Sequence, residues 1–335
     1  MEIIEDNMRR LTGSIFVALM LVVTAFTTNG LAQQDWNFSG VNKIKFEGVS
    51  GNITLTQGRD ATGRVEVDAD VYPRRSFRAE VEQDGNILYI EERWKGNNSS
   101  GSVDWTIELP LTDKPIKIQM STASGNIMCR DELNAQVRFS TASGDIGLTA
   151  VSLQEGSTFN TASGDIELAD MEISAGTEFN TASGDVLLEN LTIGEDCAFS
   201  TASGNVIAEN CRGEFELSTA SGDVRVRDCD LSGWCAFSSA SGDVTVSLDK
   251  LPDRGLKAST ASGRVTLDCR DFGENFSLVM VKRENRGRII CPFDFTSEDY
   301  YEEWDNLWEE KTVTRGSGKP EILLSSATGS ITVKN

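Results

Sequence analysis

Between residues 121 and 291 the chain alternates apolar and polar positions with a period of two, and the alternation restarts at a fixed interval. Each restart follows an Ala-Ser-Gly whose glycines are Gly125, Gly144, Gly164, Gly184, Gly204, Gly222, Gly242 and Gly263, at steps of 19, 20, 20, 20, 18, 20 and 21 residues. Two positions beyond glycine stand Ile127, Ile146, Ile166, Val186, Val206, Val224, Val244 and Val265. Four positions beyond it stand Cys129, Leu148, Leu168, Leu188, Ala208, Val226, Val246 and Leu267, with polar residues such as Glu167 and Arg225 between. Alternation with β-branched residues on the apolar side predicts a strand. Val151/Leu153, Met171/Ile173 and Leu191/Ile193 predict a second short strand. Phe159, Phe179, Phe199 and Phe237, each two residues before a Thr or Ser, predict a third.

About twenty residues cannot hold these three strands and a helix as well, and a fixed step of that size marks stacked units that bury their apolar faces only against one another. The fold class predicted is therefore all-β: a parallel β-solenoid, or β-helix, with about 20 residues per coil and a rise near 4.8 Å. Like residues then stack on like. Right-handed winding follows from the general preference of parallel crossovers. Ser-Gly-Asp falls where one strand turns into the next. Glycine is expected there for a backbone conformation that other residues resist, and Asp or Asn for bonding the amides of its own turn.

Outside this body the pattern loosens. Residues 33–120 carry alternating runs with longer connections, including "NKIKFEGVSGNITL" and "WTIELP", and read as first, irregular coils. After the regular repeats of 121–291, residues 292–320 form an acidic, aromatic insert, and "SATGSITV" within 321–335 restores the motif as a final coil. In the insert Tyr301, Trp304 and Trp308 have the spacing of one face of a short helix, expected to cover the C-terminal end or flank of the solenoid. Residues 1–32 read as a secretory signal: Arg9 and Arg10, an apolar run, then small residues at Gly30 and Ala32. A retained anchor would need about 20 apolar residues, more than this run supplies, so no stable membrane insertion is expected after cleavage.

Composition narrows the chemistry. The net charge of −21 argues against nucleic acid and anionic membrane surfaces as partners. The absence of histidine removes the commonest general base and imidazole metal ligation together. A serine nucleophile would then need a lysine partner, and no Ser-x-x-Lys occurs in the repeats. The repeated hydroxyls read instead as hydrogen-bonding ladders.

Three sets of residues remain as candidates. Asp145, Asp165, Asp185, Asp223 and Asp243 would stack in one row, either to hold Ca²⁺, which takes oxygen ligands, or to bond turn amides. Asn205 in the row fits the turn role, and Arg264 at its end interrupts a metal row, so no metal and no cofactor is expected. Of the seven cysteines, Cys211 and Cys229 fall on neighbouring coils, where a disulfide is geometrically open to them; small buried apolar residues are the other reading. Tyr300, Tyr301, Trp304 and Trp308 in the insert are suited either to stacking on a sugar ring or gripping a partner, or to packing on the solenoid.

"GVSGNITL", then "IELP", then serial "STASGDI" coils behind a signal peptide resemble the bacterial exported β-strand-repeat family of unknown function labelled adhesin, over residues 44–333. The resemblance implies the solenoid and an exported location, periplasmic, cell-surface or secreted, and brings no functional residues with it. The reading favoured is a non-enzymatic structural or interaction module that presents a stiff rod, about 40 Å or longer, to a protein or glycan at the bacterial envelope. Two alternatives stand beside it. A carbohydrate-active β-helix enzyme would need a cleft, with room only between Asp268 and Ser325. An envelope-stress sensor would bind a signalling partner.

Overall fold

The computed structural model describes residues 23–28, 31–96 and 99–335. Most of the expected signal peptide, residues 1–22 and 29–30, lies outside the described residues. Within it, Val23–Thr28 pairs antiparallel with the start of Leu31–Ser39. The described chain is built of strands, with one 3-10 turn at Arg74–Ser76.

Each repeat contributes to two sheets. In the first, Ile146–Thr149, Ile166–Ala169, Val186–Glu189 and Val206–Glu209 lie side by side in parallel, so that Ile146 faces Ile166, Ile166 faces Val186 and Val186 faces Val206. In the second, the two remaining strands of a coil follow one another, as in Glu172–Ile173 and Glu178–Thr181. Both pair with the single longer strand Thr192–Thr201 of the next coil, so they are segments of one sheet. Along the first-sheet strands buried residues alternate with partly or fully exposed ones, as one dry face and one wet face impose on a two-residue period. Between the sheets run columns of like residues. Phe159, Phe179 and Phe199 stack with nearly parallel ring planes at 4.4 and 4.8 Å, and Phe139 closes the stack edge-on at 5.5 Å.

At both ends the order in space departs from the order in sequence. Asn52–Gln57 carries the isolated early motif and pairs on one side with Ile127–Cys129, the first regular coil. On its other side it pairs with Ser100–Leu109, which comes later in the chain. In the other sheet Lys43–Glu47 likewise lies between Ile116–Thr122 and Ile87–Trp94. The C-terminus repeats the arrangement. Glu321–Ser326 lies between Gly255–Thr260 and Phe276–Arg283, and Ile331–Lys334 between Val265–Asp271 and Ile289–Ile290. The last residues of the chain thus form the penultimate layer.

Antiparallel strands finish both ends: Thr62–Tyr72 and Phe77–Asp84 at one, Asn306–Arg315 and Ser297–Glu303 at the other. The insert is therefore a β-hairpin, where the sequence suggested a short helix. Its aromatic spacing matches both a helix face and the two arms of a hairpin, and pairing of Asn306–Arg315 with the open edge of Phe276–Arg283 decides between them. Glu92, 6% exposed, finishes the N-terminal corner. Its carboxylate accepts the backbone N–H of Val49 and Ser50 at 2.7 and 3.0 Å and the indole N–H of Trp105 at 2.7 Å. Those backbone donors belong to a corner with no further repeat beyond it, and a charged acceptor satisfies them.

Candidate functional site

The repeated corner is held by its threonine. Thr181 Oγ1 donates to the carbonyl of Gly164 at 2.8 Å and accepts the N–H of Gly184 at 3.1 Å. Thr161, Thr201, Thr219, Ser239 and Thr260 make the same pair of bonds in their own coils. Ser326 then donates to Gly263, which carries the ladder into the C-terminal coil. These buried hydroxyls are committed to the backbone and are structural.

The glycines of this corner are required by space and not, as the sequence suggested, by backbone conformation. None of the eight has a positive φ. A Cβ on Gly184 would meet the Gly164 carbonyl oxygen at 1.9 Å, and the other seven face similar contacts. The left-handed backbone sits at the next corner instead, at Ala150, Asp170, Asn190, Asn210 and Asp228, with φ between 52 and 59°. Asp and Asn tolerate that region best among residues with side chains. Their recurrence six positions after glycine was the available signal.

The aspartate row forms as expected but bonds differently. Each side chain accepts from the next coil, not from its own turn. Asp145 Oδ1 takes the N–H of Asp165 at 2.9 Å, Asp165 that of Asp185 at 2.7 Å, and Asp185 that of Asn205 at 2.7 Å. Asp223 takes the N–H of Asp243, and Asp243 that of Arg264, at 2.8 and 2.7 Å. Arg225 and Arg264 pair with the second oxygens of Asp223 and Asp243 at 2.6 and 3.0 Å. Among the described residues no group of three or more acidic or cysteine side chains is placed to hold a metal ion.

All seven cysteines are free thiols in this structure, and six are buried. Cys211 and Cys229 do meet across neighbouring coils, with the Cys211 N–H 3.3 Å from the Cys229 sulfur. The hydrogen bond to Cys229, and then burial, push the Cys211 thiol up. Burial raises Cys129, Cys235 and Cys269 to about 11.

Shallow grooves run over the coils. One of about 590 Å³ follows the second corner from Glu132 to Arg212. Its side chains bond one another along the axis, as in Gln154 to Asn134 at 2.8 Å, Asn190 to Asp170 at 2.9 Å and Arg212 to Thr192 at 2.8 Å. A smaller one, about 310 Å³, is lined by Arg227, Asp228, Asp249, Asp268 and Arg270. Arg270 in it is paired with Asp249 at 2.7 Å, and Arg227 with Glu209 at 2.8 Å.

The hairpin is the exception to this self-satisfied surface. Alternation sends Met280 and Lys282 of Phe276–Arg283 inward and sets Trp308 beside Arg283, whose guanidinium lies 5.8 Å from the ring centre. Lys282 is paired with Glu309, and Lys311 bridges Glu309 and Glu298 at 3.3 and 2.8 Å. Burial works to raise the Glu309 carboxyl, but the hydrogen bonds and charges of Lys282 and Lys311 outweigh it and hold it below the usual carboxylate range. The arms meet at Trp304-Asp305, a two-residue turn with φ of 51 and 55°. Trp304 is 87% exposed, Tyr300 55% and Tyr301 38%. Of the four aromatics picked out in the insert, Trp308 packs and three face solvent.

The class these features define is a two-sheet stack of parallel β-coils with an aromatic hairpin at one end. The chain belongs to the Toastrack DUF4097 family, whose profile matches residues 41–286. No curated protein matches it. Among solved structures, a "putative adhesin" from Bacteroides fragilis NCTC 9343 is 14% identical, covers 91% of this chain and 98% of its own, and gives a TM-score of 0.37. A "putative cell adhesion protein" from Clostridium sporogenes ATCC 15579 is 10% identical over 94% of this chain and 98% of its own, with a TM-score of 0.24. A "putative lipid binding protein" from Parabacteroides distasonis ATCC 8503 is 15% identical over 72% and 91%, with a TM-score of 0.37. Among the described residues no helix is long and apolar enough to cross a membrane.

Proposed function

We propose that this protein is an exported, non-enzymatic interaction module that holds a rigid β-solenoid surface toward a protein or glycan at the bacterial envelope. The observation that carries the reading is the hairpin: Trp304, Tyr300 and Tyr301 stand in solvent on arms pinned by the Lys282, Glu309, Lys311 and Glu298 ion pairs. Exposed aromatics on a pinned support form contacts at low entropic cost. The corner ladders support the rod, since each coil is bonded to the next by side chains as well as strands. Right-handed winding with about 20 residues per coil belongs to the same reading.

The enzyme alternative has one feature in its favour, the small groove with Asp228, Asp249, Asp268, Arg227 and Arg270. Incubation with a panel of acidic and neutral polysaccharides separates the two. No new reducing ends or unsaturated products are expected; their appearance, and loss in Asp268→Asn, overturns the module reading. Binding to isolated envelope material is expected to weaken by about tenfold, or about 1.4 kcal/mol, in Trp304→Ala with the melting temperature unchanged. Equal binding by both proteins removes the hairpin from the proposal.

A further inference from the structure

We infer that the outer arm of the hairpin, Ser297–Glu303, is a docking edge that takes a cationic, extended peptide segment of another protein as an added β-strand; this rests on the reading of the hairpin as the binding end. The arm is hydrogen-bonded on one side, to Asn306–Arg315. Its other side carries outward-pointing backbone donors and acceptors, a template for one more strand. All seven of its residues are exposed, so nothing in the described chain covers that side.

Edges of this kind are commonly blunted by lysine, proline or a bulge. The N-terminal counterpart, Phe77–Asp84, mixes Arg78 with Glu80 and Glu82, and Gln83 of that strand bonds the carbonyls of Ser39 and Gly85 at 2.9 Å. Ser297–Glu303 has no lysine, proline or bulge, and its charge is all of one sign. It carries Glu298, Asp299, Glu302 and Glu303 and no basic residue.

That charge selects the occupant. A second copy of the same arm would bring four more carboxylates to about 4.8 Å strand separation, inside the Debye length of about 8–10 Å at ordinary salt. Like charges directly opposite destabilise a strand pair. A strand bearing Lys or Arg meets the opposite sign at every register. Tyr300 and Tyr301 lie on opposite faces of the arm, and each offers a ring to a neighbouring cation. Of the arm's four carboxylates Lys311, on the inner arm, pairs with Glu298, which leaves Asp299, Glu302 and Glu303 to an incoming strand.

The probe is a seven-residue peptide of alternating lysine and threonine, titrated into the full chain and followed by tryptophan fluorescence and calorimetry. One-to-one binding is expected, weakening by about tenfold or more between low salt and roughly 0.5 M. Methylating alternate amides along one edge of the peptide is expected to abolish binding, and along the other edge to leave it. Glu302→Lys/Glu303→Lys, at exposed positions, is expected to lose the peptide while keeping the melting temperature. No binding by the unmodified peptide overturns the inference. Equal binding by both methylated peptides also overturns it, leaving charge adsorption, and self-association of the chain would show a second copy as the occupant. Trp304→Ala, outside the arm, is expected to keep peptide binding within about twofold while weakening attachment to envelope material. Failure of the strand-addition inference and failure of the wider proposal therefore give different results.

Discussion

A single hydroxyl in this protein closes two bonds, one to the neighbouring coil and one within its own turn. Thr181→Val keeps the shape and strands the Gly164 carbonyl and the Gly184 N–H in the interior. It is expected to cost about 1–3 kcal/mol in urea unfolding, while Thr181→Ser costs less, as Ser239 already serves in the ladder. The thiols act at the same scale through pH. Burial raises Cys129, Cys235 and Cys269 from 9.0 to about 11, so above pH 9 the unfolded chain releases protons that the folded chain retains. Stability is then lost with rising pH, and the midpoint in urea is expected to fall between pH 9 and 11. Substituting these three cysteines by alanine should flatten that part of the curve even though the protein becomes weaker overall.

At the scale of elements, the regular strands were legible because two demands agree in every repeat. A two-residue period places Ile166, Leu168 and Phe179 inside, and the same residues recur where the next coil needs them. The corners were only half legible. "TASG" announces a repeated turn, but sequence cannot separate a glycine needed for its φ from one needed because a carbonyl passes 1.9 Å from its missing Cβ. The hairpin is ambiguous in sequence for a related reason. Tyr301, Trp304 and Trp308 fit a helical spacing, while "TVTR" beyond them and Asp305 in the turn between the arms fit a hairpin. The deciding fact is an open parallel edge at Phe276–Arg283, a partner that local sequence does not contain.

For the whole molecule, the layering of the ends makes a sharp claim. Because Glu321–Ser326 and Ile331–Lys334 lie beneath the later-layered coil of Phe276–Arg283 and Ile289–Ile290, the C-terminal residues are internal to the stack. Removing residues 321–335 is expected to open a gap in the core at Ile322, Leu324, Ile331 and Val333 and to abolish two-state unfolding of the C-terminal coils, read by hydrogen exchange of Phe276–Arg283. Protection there equal to that of the intact chain would contradict this layering.

The sequence by itself determined the coil, its apolar columns and the identity of the stacked residues, because these depend on a period that each repeat states afresh. Tertiary structure alone decided which coil neighbours which at the ends, which aromatics stay exposed, and that Ser297–Glu303 has an open side. Those outcomes depend on competition among strands far apart in the chain for the same row of backbone donors and acceptors, and a motif that looks alike in every copy carries no record of who wins.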